Sequence, residues 1–268
     1  MVNDSHVHVG YYSRMGKYCP FYYSPRRIIG VLNRCGVENF IVSSTCAQVE
    51  GIGVHEIIRE AREVKRITGE RSHLFFWLSG HLYDEDPDLE WLETGLFEGI
   101  KLHLGETQWT IHRRDDLHTI LSLAQNYGLP VMFHSGINKD CRPTELAKIA
   151  SIFPEIHFNF AHCRPMDEMA GVMADCPNVW TDTAYLALDE FPRLCNYNWY
   201  GRLMFGTDIP VWQAHEQCSL TTRYRMCQKA FEVTGLAGDG AFSSFLGSTI
   251  GRGAFPDSVS KTKQGKER

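Results

Sequence analysis

The sequence lacks any apolar run close to the roughly 18 residues that a membrane-spanning helix requires. It also lacks a surplus of positive charge, because 27 Lys and Arg stand against 32 Asp and Glu for a formal net charge of -5. Proteins that bind nucleic acids usually carry a basic patch, so this balance argues against such a partner. The chain opens on a polar stretch and not on a basic and then apolar leader, and we expect a cytoplasmic protein without membrane contact.

The sequence also lacks the commonest short signatures of other enzyme classes. None of its nine cysteines forms a Cys-x-x-Cys pair, which disfavours a disulfide framework or a cysteine zinc cluster. No Walker A loop, GxSxG or HExxH motif occurs. Simple nucleotide-binding, serine-hydrolase and zinc-peptidase interpretations are therefore not indicated.

What the sequence does contain is a regular alternation of short apolar runs and longer helical patterns. Eight runs are predicted as strands, each followed by a helical segment: Ser5–Val9, Asn39–Ser44, Leu74–Leu78, Gly99–Leu104, Pro130–His134, Ile156–His162, Val179–Thr183 and Leu203–Asp208. Strands separated by helices pair in parallel, and eight such units in 268 residues predict a (β/α)8 TIM barrel. We expect one catalytic domain over residues 1–257, followed by a polar tail over residues 258–268.

Histidines collect where these predicted strands end. Only 12 residues of the chain are histidine, yet five of them lie there: His6, His8, His103, His134 and His162. Asp208 ends the last predicted strand. In the first strand, Asp4, His6 and His8 are two residues apart, so strand geometry predicts that all three side chains share one face. The active site of such a barrel lies at the carboxyl ends of its strands, which predicts a polar cluster at one mouth.

Imidazole and carboxylate groups in one cluster suit Zn²⁺, and also Fe, Co or Mn. A catalytic site uses three or four protein ligands and leaves a position for water. We therefore predict a metal site formed by His6, His8, His134 and Asp208, with one zinc ion favoured over two. For any single histidine, a structural hydrogen bond near a strand end is the simpler interpretation.

The same residues carry a resemblance to a known family. The stretch DSHVH resembles the DxHxH first-strand motif of the amidohydrolase superfamily. The stretches GIKLHL, VMFHSG, FAHCRP and LMFGTDIP are similar to later strand motifs of its amidohydrolase-related branch, which includes aminocarboxymuconate semialdehyde decarboxylase and pyrone dicarboxylate lactonase. The resemblance implies a distorted barrel, a divalent metal that is most often zinc, and hydrolysis or, in a minority, non-oxidative decarboxylation of a small molecule.

The resemblance also implies roles for three residues. Asp208 would ligate the metal and act as the general base that takes a proton from water. His162 would be the second acid–base group or a ligand of a second metal, and similarity to mononuclear members favours the first role. Asp4 would orient the ligands from behind them.

Four further residues are predicted to contact an anionic substrate. Lys101 and His103 are two apart and face the barrel, and Arg142 and Arg164 follow the fifth and sixth strands. A guanidinium matches a carboxylate well, although two solvent-facing arginines are an equally simple interpretation. For Lys101, a contact with Asp208 and a structural pairing inside the barrel are the alternatives. The resemblance adds another, because the fourth-strand lysine of binuclear amidohydrolases is carbamylated and bridges two metals.

The sequence thus favours a metal-dependent hydrolase of an amide, lactone or ester with a small-molecule substrate. The main alternative is a metal-dependent decarboxylase on the same scaffold. A TatD-like nuclease is disfavoured by the acidic charge balance and by lysine in the fourth-strand motif. A barrel that binds a ligand without catalysis is disfavoured by the intact set of metal ligands. A homo-oligomer is left open.

Overall fold

The structure is a computed structural model that describes residues 2–12, 21–87, 89–104, 114–211, 218–236 and 239–247. One sheet has the strand order β2-β1-β3-β4-β5-β6-β7-β8-β9. The strands are β1 (Val2–Tyr12), β2 (Phe21–Tyr23), β3 (Val37–Ser44), β4 (Ser72–Trp77), β5 (Gly99–Leu102), β6 (Val131–His134), β7 (Phe158–Ala161), β8 (Val179–Asp182) and β9 (Leu203–Met204). The predicted tail over residues 258–268 lies outside the described residues.

The sheet closes into a barrel. All neighbouring strands from β1 and β3 through to β9 pair in parallel, and only β2 is antiparallel to its neighbour β1. The first and last parallel strands meet where Ser5 N–H donates to the Phe205 carbonyl at 2.9 Å. Just beyond, Asp208 N–H donates to the His6 carbonyl at 2.8 Å. The predicted (β/α)8 barrel is confirmed, with β2 as an addition that the sequence pattern did not indicate.

The helices follow the strands as the alternation predicts. They are α1 (Pro25–Arg34), α2 (Val54–Thr68), α3 (Gly80–Glu85), α4 (Arg114–Tyr127), α5 (Pro143–Ala150), α6 (Met166–Asp175), α7 (Leu220–Thr234) and α8 (Asp239–Leu246). Helix α1 begins as its sequence suggests, because the Ser24 side chain accepts a hydrogen bond from Arg27 N–H and Pro25 occupies the first turn. Within the described ranges, no helix is long and apolar enough to cross a membrane.

Two predicted helices are 3₁₀ helices instead. The segment after β4 contains α3 and then a 3₁₀ helix over Glu90–Thr94, where the sequence pattern predicts one short helix over residues 88–96. The segment after β8 is a 3₁₀ helix over Leu188–Asn196 that contains Pro192. Proline cannot donate the backbone hydrogen bond that an α-helix requires in its interior, which accounts for the second difference.

The barrel interior is apolar at one end and polar at the other. Near the amino ends of the strands, an apolar cluster joins inward residues such as Phe75, Met132 and Trp180 to Phe242 and Phe245 of α8. A larger apolar core lies between the sheet and the helices. Helix α8 covers the amino ends of the strands, and the buried histidines, Lys101 and Asp208 lie at the carboxyl ends.

Candidate active site

A bulge in β1 changes which way the first polar residues point. Asp4 lies opposite Phe40 and Val7 lies opposite Val42, so three steps along β1 match two steps along β3. Asp4 therefore shares the outward face with Val7, whereas His6 and His8 point into the barrel. The expectation that Asp4 lies on the face of the two histidines is wrong, because an extra residue shifts the alternation between them.

Asp4 nevertheless supports the site from behind. Its Oδ1 accepts hydrogen bonds from His6 N–H at 3.0 Å and Thr207 N–H at 3.1 Å, and its Oδ2 accepts the Thr207 hydroxyl at 2.7 Å. Burial raises the pKa of Asp4 to about 7, although these hydrogen bonds act in the opposite direction. Asp4 holds the backbone beside His6 and before Asp208, and its orienting role stays a prediction.

Three of the predicted metal ligands converge inside the mouth of the barrel. The Nε2 atoms of His6 and His8 are 3.2 Å apart, and Asp208 Oδ1 lies 3.6 Å from the first and 3.0 Å from the second. All three side chains are buried, and their ligand atoms are close enough to share one ion. This group is hereafter called the His6–His8–Asp208 triad.

Polar partners behind the two rings of the triad bear on which ring nitrogen carries the hydrogen. His6 Nδ1 lies 3.2 Å from Asp182 Oδ2, and His8 Nδ1 lies 3.2 Å from the Ser43 carbonyl oxygen. The Asp182 carboxylate can only accept, so His6 Nδ1 carries the hydrogen and His6 Nε2 keeps a lone pair. His8 Nδ1 also lies 3.0 Å from the Ser43 hydroxyl, which can donate, so His8 Nε2 can carry the hydrogen that Asp208 accepts in the metal-free chain. Two imidazole nitrogens and one carboxylate oxygen form a donor set that fits a divalent cation, with polar partners behind both rings.

The protonation states of the triad agree with that arrangement. Burial, followed by the nearby positive charge of Lys101, lowers the pKa of His8 to about 3. For Asp208, burial acts to raise the pKa, but the hydrogen bond from His8 and the charges of His6 and Lys101 outweigh it and lower the pKa. Neutral imidazole and ionised carboxylate are the forms that bind a metal.

Lys101 reaches the same centre from β5. Its Nζ lies 2.5 Å from His6 Nε2 and 3.2 Å from His8 Nε2, and 4.5 Å from the centre of the Trp77 ring. Burial lowers the pKa of Lys101 to about 8, and the charges of Asp208 and Asp182 oppose this shift. The predicted inward orientation of Lys101 is therefore confirmed, and the amine competes for the lone pairs of the triad.

The predicted fourth ligand, His134, is not part of the triad. Its Nδ1 lies 2.9 Å from His162 Nε2, and its ring stacks on His103 with centres 3.9 Å apart. His162 Nδ1 lies 3.1 Å from the Ala184 carbonyl oxygen and must carry a hydrogen, so His162 Nε2 accepts from His134. His134 lines the same cavity as His8 and Asp208 but is not in the group of close ligand atoms, so its role as a fourth ligand stays a prediction.

Burial is the main cause that lowers the pKa of both His134 and His162 well below the usual range. Positively charged neighbours such as Arg164 and Lys101 lower it further. Both rings are neutral and form a hydrogen-bonded pair beside the triad. His162 also lies near His6 and Asp182, in a second group whose atoms are close enough for an ion. Hydrogen bonds already use these atoms, so we interpret that group as support for the triad.

Three strands leave the barrel through unusual backbone conformations at the site. His162 after β7, Tyr185 after β8 and Asp208 after β9 have φ values of 78°, 59° and 57°. Side chains other than glycine rarely adopt this left-handed region, and such strain is concentrated at functional sites. The strained turns aim side chains from three different strands at one centre.

The two arginines have different surroundings. Arg164 lines the cavity beside the triad, a space of about 40 Å³, and its guanidinium lies 4.7 Å above the Tyr185 ring. Arg142 does not line this cavity, because it forms an ion pair with Glu168 of α6 and its side chain is 46% exposed. Arg164 is thus placed as predicted, whereas Arg142 is used between α5 and α6.

Sequence reasoning missed several residues of the site. Asp182 ends β8 and contacts His6, yet the segment VWTDT received no functional role. The rule that selected Asp208, a carboxylate at a strand end, would also have selected Asp182. Thr45, Gln48 and Trp77 line the cavity without a recognisable motif. Trp109 and Trp212 also follow predicted strand ends in the sequence, and both lie outside the described residues.

Comparison with known proteins decides the family. The model of the amidohydrolase family (Amidohydro_2) matches residues 84–220, about half of the chain, and that range includes β5 to β9 and Asp208. The chain belongs to the amidohydrolase family. It is therefore an enzyme of the metal-dependent hydrolase type. Among curated protein sequences no significant match is found.

Solved structures share the fold of this amidohydrolase. A probable 2-pyrone-4,6-dicarboxylic acid hydrolase from Acinetobacter baumannii has 13% identity and a TM-score of 0.63, over 92% of this chain and 99% of that chain. The 4-oxalomesaconate hydratase from Rhodopseudomonas palustris has 13% identity and a TM-score of 0.63, over 92% and 96%. IDCase from Metarhizium anisopliae has 13% identity and a TM-score of 0.57, over 94% and 95%.

Proposed function

We propose that this amidohydrolase hydrolyses a small carboxylate-bearing lactone, amide or ester and uses one divalent cation, with Zn²⁺ favoured. The observation that carries the proposal is the convergence of His6, His8 and Asp208 on one point beside Arg164. A divalent cation at that point would act as a Lewis acid and make water a stronger acid. The remaining tasks fall to side chains of this chain.

Asp208 takes a proton from the attacking water and delivers it to the leaving oxygen or nitrogen as the bond to the carbonyl carbon breaks. Its ionised form, favoured by His8 and Lys101, is the form that can accept this proton. The hydrogen-bonded pair His134 and His162 provides a second acid–base group at the cavity wall. In this proposal His162 acts through His134, the more exposed of the two rings.

Arg164 and Lys101 place two cationic side chains at the cavity. Tyr185 supports the guanidinium of Arg164 through a cation–π contact, so its position is fixed before a substrate arrives. The names of two similar proteins, the 2-pyrone-4,6-dicarboxylic acid hydrolase and the 4-oxalomesaconate hydratase, refer to carboxylic acids. The structure of the first contains bound citric acid. These similarities support a substrate with at least one carboxylate. His103 is packed beside His134 at the wall of the pocket.

The direct test compares charged and neutral substrates. Metal-free protein and protein loaded with Zn²⁺, Mn²⁺ or Co²⁺ are assayed with carboxylate-bearing lactones, amides and esters, including 2-pyrone-4,6-dicarboxylate, and with their methyl esters as matched neutral compounds. We expect acid release from a carboxylate substrate only by metal-loaded protein. Equal activity of metal-free protein would contradict the proposal.

The same reactions distinguish the lyase alternative. CO₂ release is measured alongside acid release, since a decarboxylase breaks a carbon–carbon bond at the substrate carboxylate and adds no water to the product. Release of CO₂ without hydrolysis would replace the hydrolase proposal with the metal-dependent decarboxylase.

A further inference from the structure

The carboxylate of Asp182 is the most heavily hydrogen-bonded side chain behind the triad. Its Oδ2 faces His6 Nδ1 at 3.2 Å and accepts Asn159 Nδ2 at 2.7 Å. Its Oδ1 accepts the backbone N–H groups of His162 at 2.9 Å and Ala184 at 3.0 Å. The side chain is fully buried at the end of β8. All four acceptor positions of this carboxylate are therefore in use.

These contacts restrict the protonation of His6. An ionised carboxylate has no hydrogen to donate, so the hydrogen between His6 and Asp182 belongs to His6 Nδ1. The His6 lone pair then lies on Nε2, the atom that faces His8 and Asp208. With the opposite tautomer, an N–H group would point into the triad and block a cation.

We propose that Asp182 is a positioning residue that fixes the tautomer of His6 and thereby sets the affinity of the triad for a divalent cation. It also anchors the backbone of His162, so one carboxylate aligns the triad with the neighbouring histidine pair. This inference rests on the proposed metal site. It differs from a direct ligand role, in which Asp182 would hold a second ion together with His6 and His162.

The substitution Asp182→Asn tests this role with almost no change in volume. The amide oxygen can serve the two backbone N–H groups, which leaves the amide nitrogen facing His6 Nδ1. That nitrogen donates a hydrogen bond, so His6 must accept at Nδ1 and carry its hydrogen on Nε2. Loss of such a supporting contact typically weakens metal binding about 10- to 100-fold.

The experiment measures Zn²⁺ affinity of the purified full chain by competition with a chromophoric chelator. We expect one Zn²⁺ per chain in the wild type, and about 10- to 100-fold weaker binding with the same stoichiometry in Asp182→Asn. Equal affinity in the variant would overturn the inference while leaving the proposed function intact. A wild-type chain that binds no Zn²⁺ would overturn the proposed function and the inference with it.

A matched control separates positioning from general damage to β8. Thr181 precedes Asp182, is fully buried, and donates a hydrogen bond to the Phe160 carbonyl at 2.6 Å. Thr181→Val removes one buried hydrogen bond from this strand without touching His6, and we expect wild-type Zn²⁺ affinity. An equal loss of affinity in both variants would overturn the inference.

A second measurement reports the tautomer of His6 directly. In metal-free wild-type protein, the ¹⁵N chemical shifts of the His6 ring report which nitrogen carries the hydrogen. We expect hydrogen on Nδ1, and on Nε2 in Asp182→Asn. Hydrogen on Nε2 in the wild type, or two Zn²⁺ per chain with one lost in the variant, would overturn the inference.

Discussion

Lys101 Nζ lies 2.5 Å from Nε2 of His6, the atom through which His6 faces the triad. The lone pair on this nitrogen can accept a hydrogen bond from the ammonium or bind a cation, but not both. The two positive charges would also repel each other in a buried site. The lysine and a bound cation are thus competitors for one place in the barrel.

We expect Lys101→Met to retain the cation and bind it several-fold more tightly than the wild type. The apolar side chain removes the competing ammonium without opening a large cavity next to Trp77. Turnover should fall, because Lys101 is also proposed to contact the substrate. Zn²⁺ affinity by chelator competition and steady-state rates measure the two effects separately.

The opposite outcome for the same variant has a distinct meaning. A carbamylated lysine would itself be a ligand, so Lys101→Met would then lose the metal. Recovery of wild-type metal binding by added bicarbonate in decarbonated protein would identify the carbamate. That result would contradict our prediction for Lys101.

Cation binding should stabilise the folded chain. A ligand at about 100 times its Kd adds roughly 2.7 kcal/mol to the free energy of unfolding, which raises Tm. We expect His8→Ala to abolish most of this rise, because His8 is one of the three proposed ligands. Thermal unfolding with and without Zn²⁺ measures it. His118→Ala is the control, since His118 is exposed on α4, and an equal loss there would point to nonspecific binding.

Asp208→Asn should lower kcat by at least about 100-fold, since general base catalysis contributes about 10² to 10⁴. The amide has similar shape and can still contact His8, so we expect the barrel to fold with its strained turn intact. Rates together with circular dichroism check both points. Activity within tenfold of wild type in a folded variant would exclude Asp208 as the base.

Arg164→Met should raise KM for a carboxylate substrate by about 10- to 100-fold, because charged hydrogen bonds contribute roughly 1.5–3 kcal/mol. Arg142→Met provides a matched control, as Arg142 pairs with Glu168 on the outer surface. We expect a KM within about twofold of wild type for it. An equal rise in KM for both variants would contradict a specific contact between Arg164 and the substrate carboxylate.

A pH effect on stability is expected at Glu98, away from the site. Burial acts to raise its pKa, but hydrogen bonds from His73 at 2.6 Å and Lys65 at 2.8 Å lower it below the ordinary 4.5. Ionised Glu98 therefore stabilises the fold above about pH 4.5, and this contribution is lost as the pH falls through the lowered pKa.

We expect Glu98→Gln to cost about 1 kcal/mol at pH 7 and much less at pH 3. Urea unfolding at the two pH values measures the difference, with the exposed Glu38→Gln as control. A loss that is equal at both pH values would contradict an electrostatic origin for the effect.

The barrel itself could be predicted because its determinants are local. Short stretches of the sequence show the apolar pattern of each strand and the amphipathic pattern of each helix. All eight predicted strands are present in the structure. Differences arise where tertiary or proline effects override periodicity, as in the 3₁₀ helix that contains Pro192. The added strand β2 depends on pairing with the end of β1, which no local pattern indicates.

The candidate site could be predicted only in part. Strand periodicity and barrel closure bring His6, His8 and Asp208 together, as expected from their positions at strand ends. The failure at Asp4 has one cause, a bulge that inserts a residue between Asp4 and Val7 and reverses the face. The position of Arg142 away from the cavity has another cause, because Glu168 is distant in sequence and only folding brings it within reach.

The sequence by itself determined that this protein is a barrel with histidines and a carboxylate at its mouth, since spacing along the chain controls strand direction and side-chain face. Tertiary structure decided which nitrogen of His6 and of His162 carries hydrogen, which arginine lies at the cavity, and where Lys101 lies. These properties depend on partners such as Asp182, which lies 176 residues from His6 in the chain and 3.2 Å from it in space. Contacts of that kind exist only once the barrel has closed.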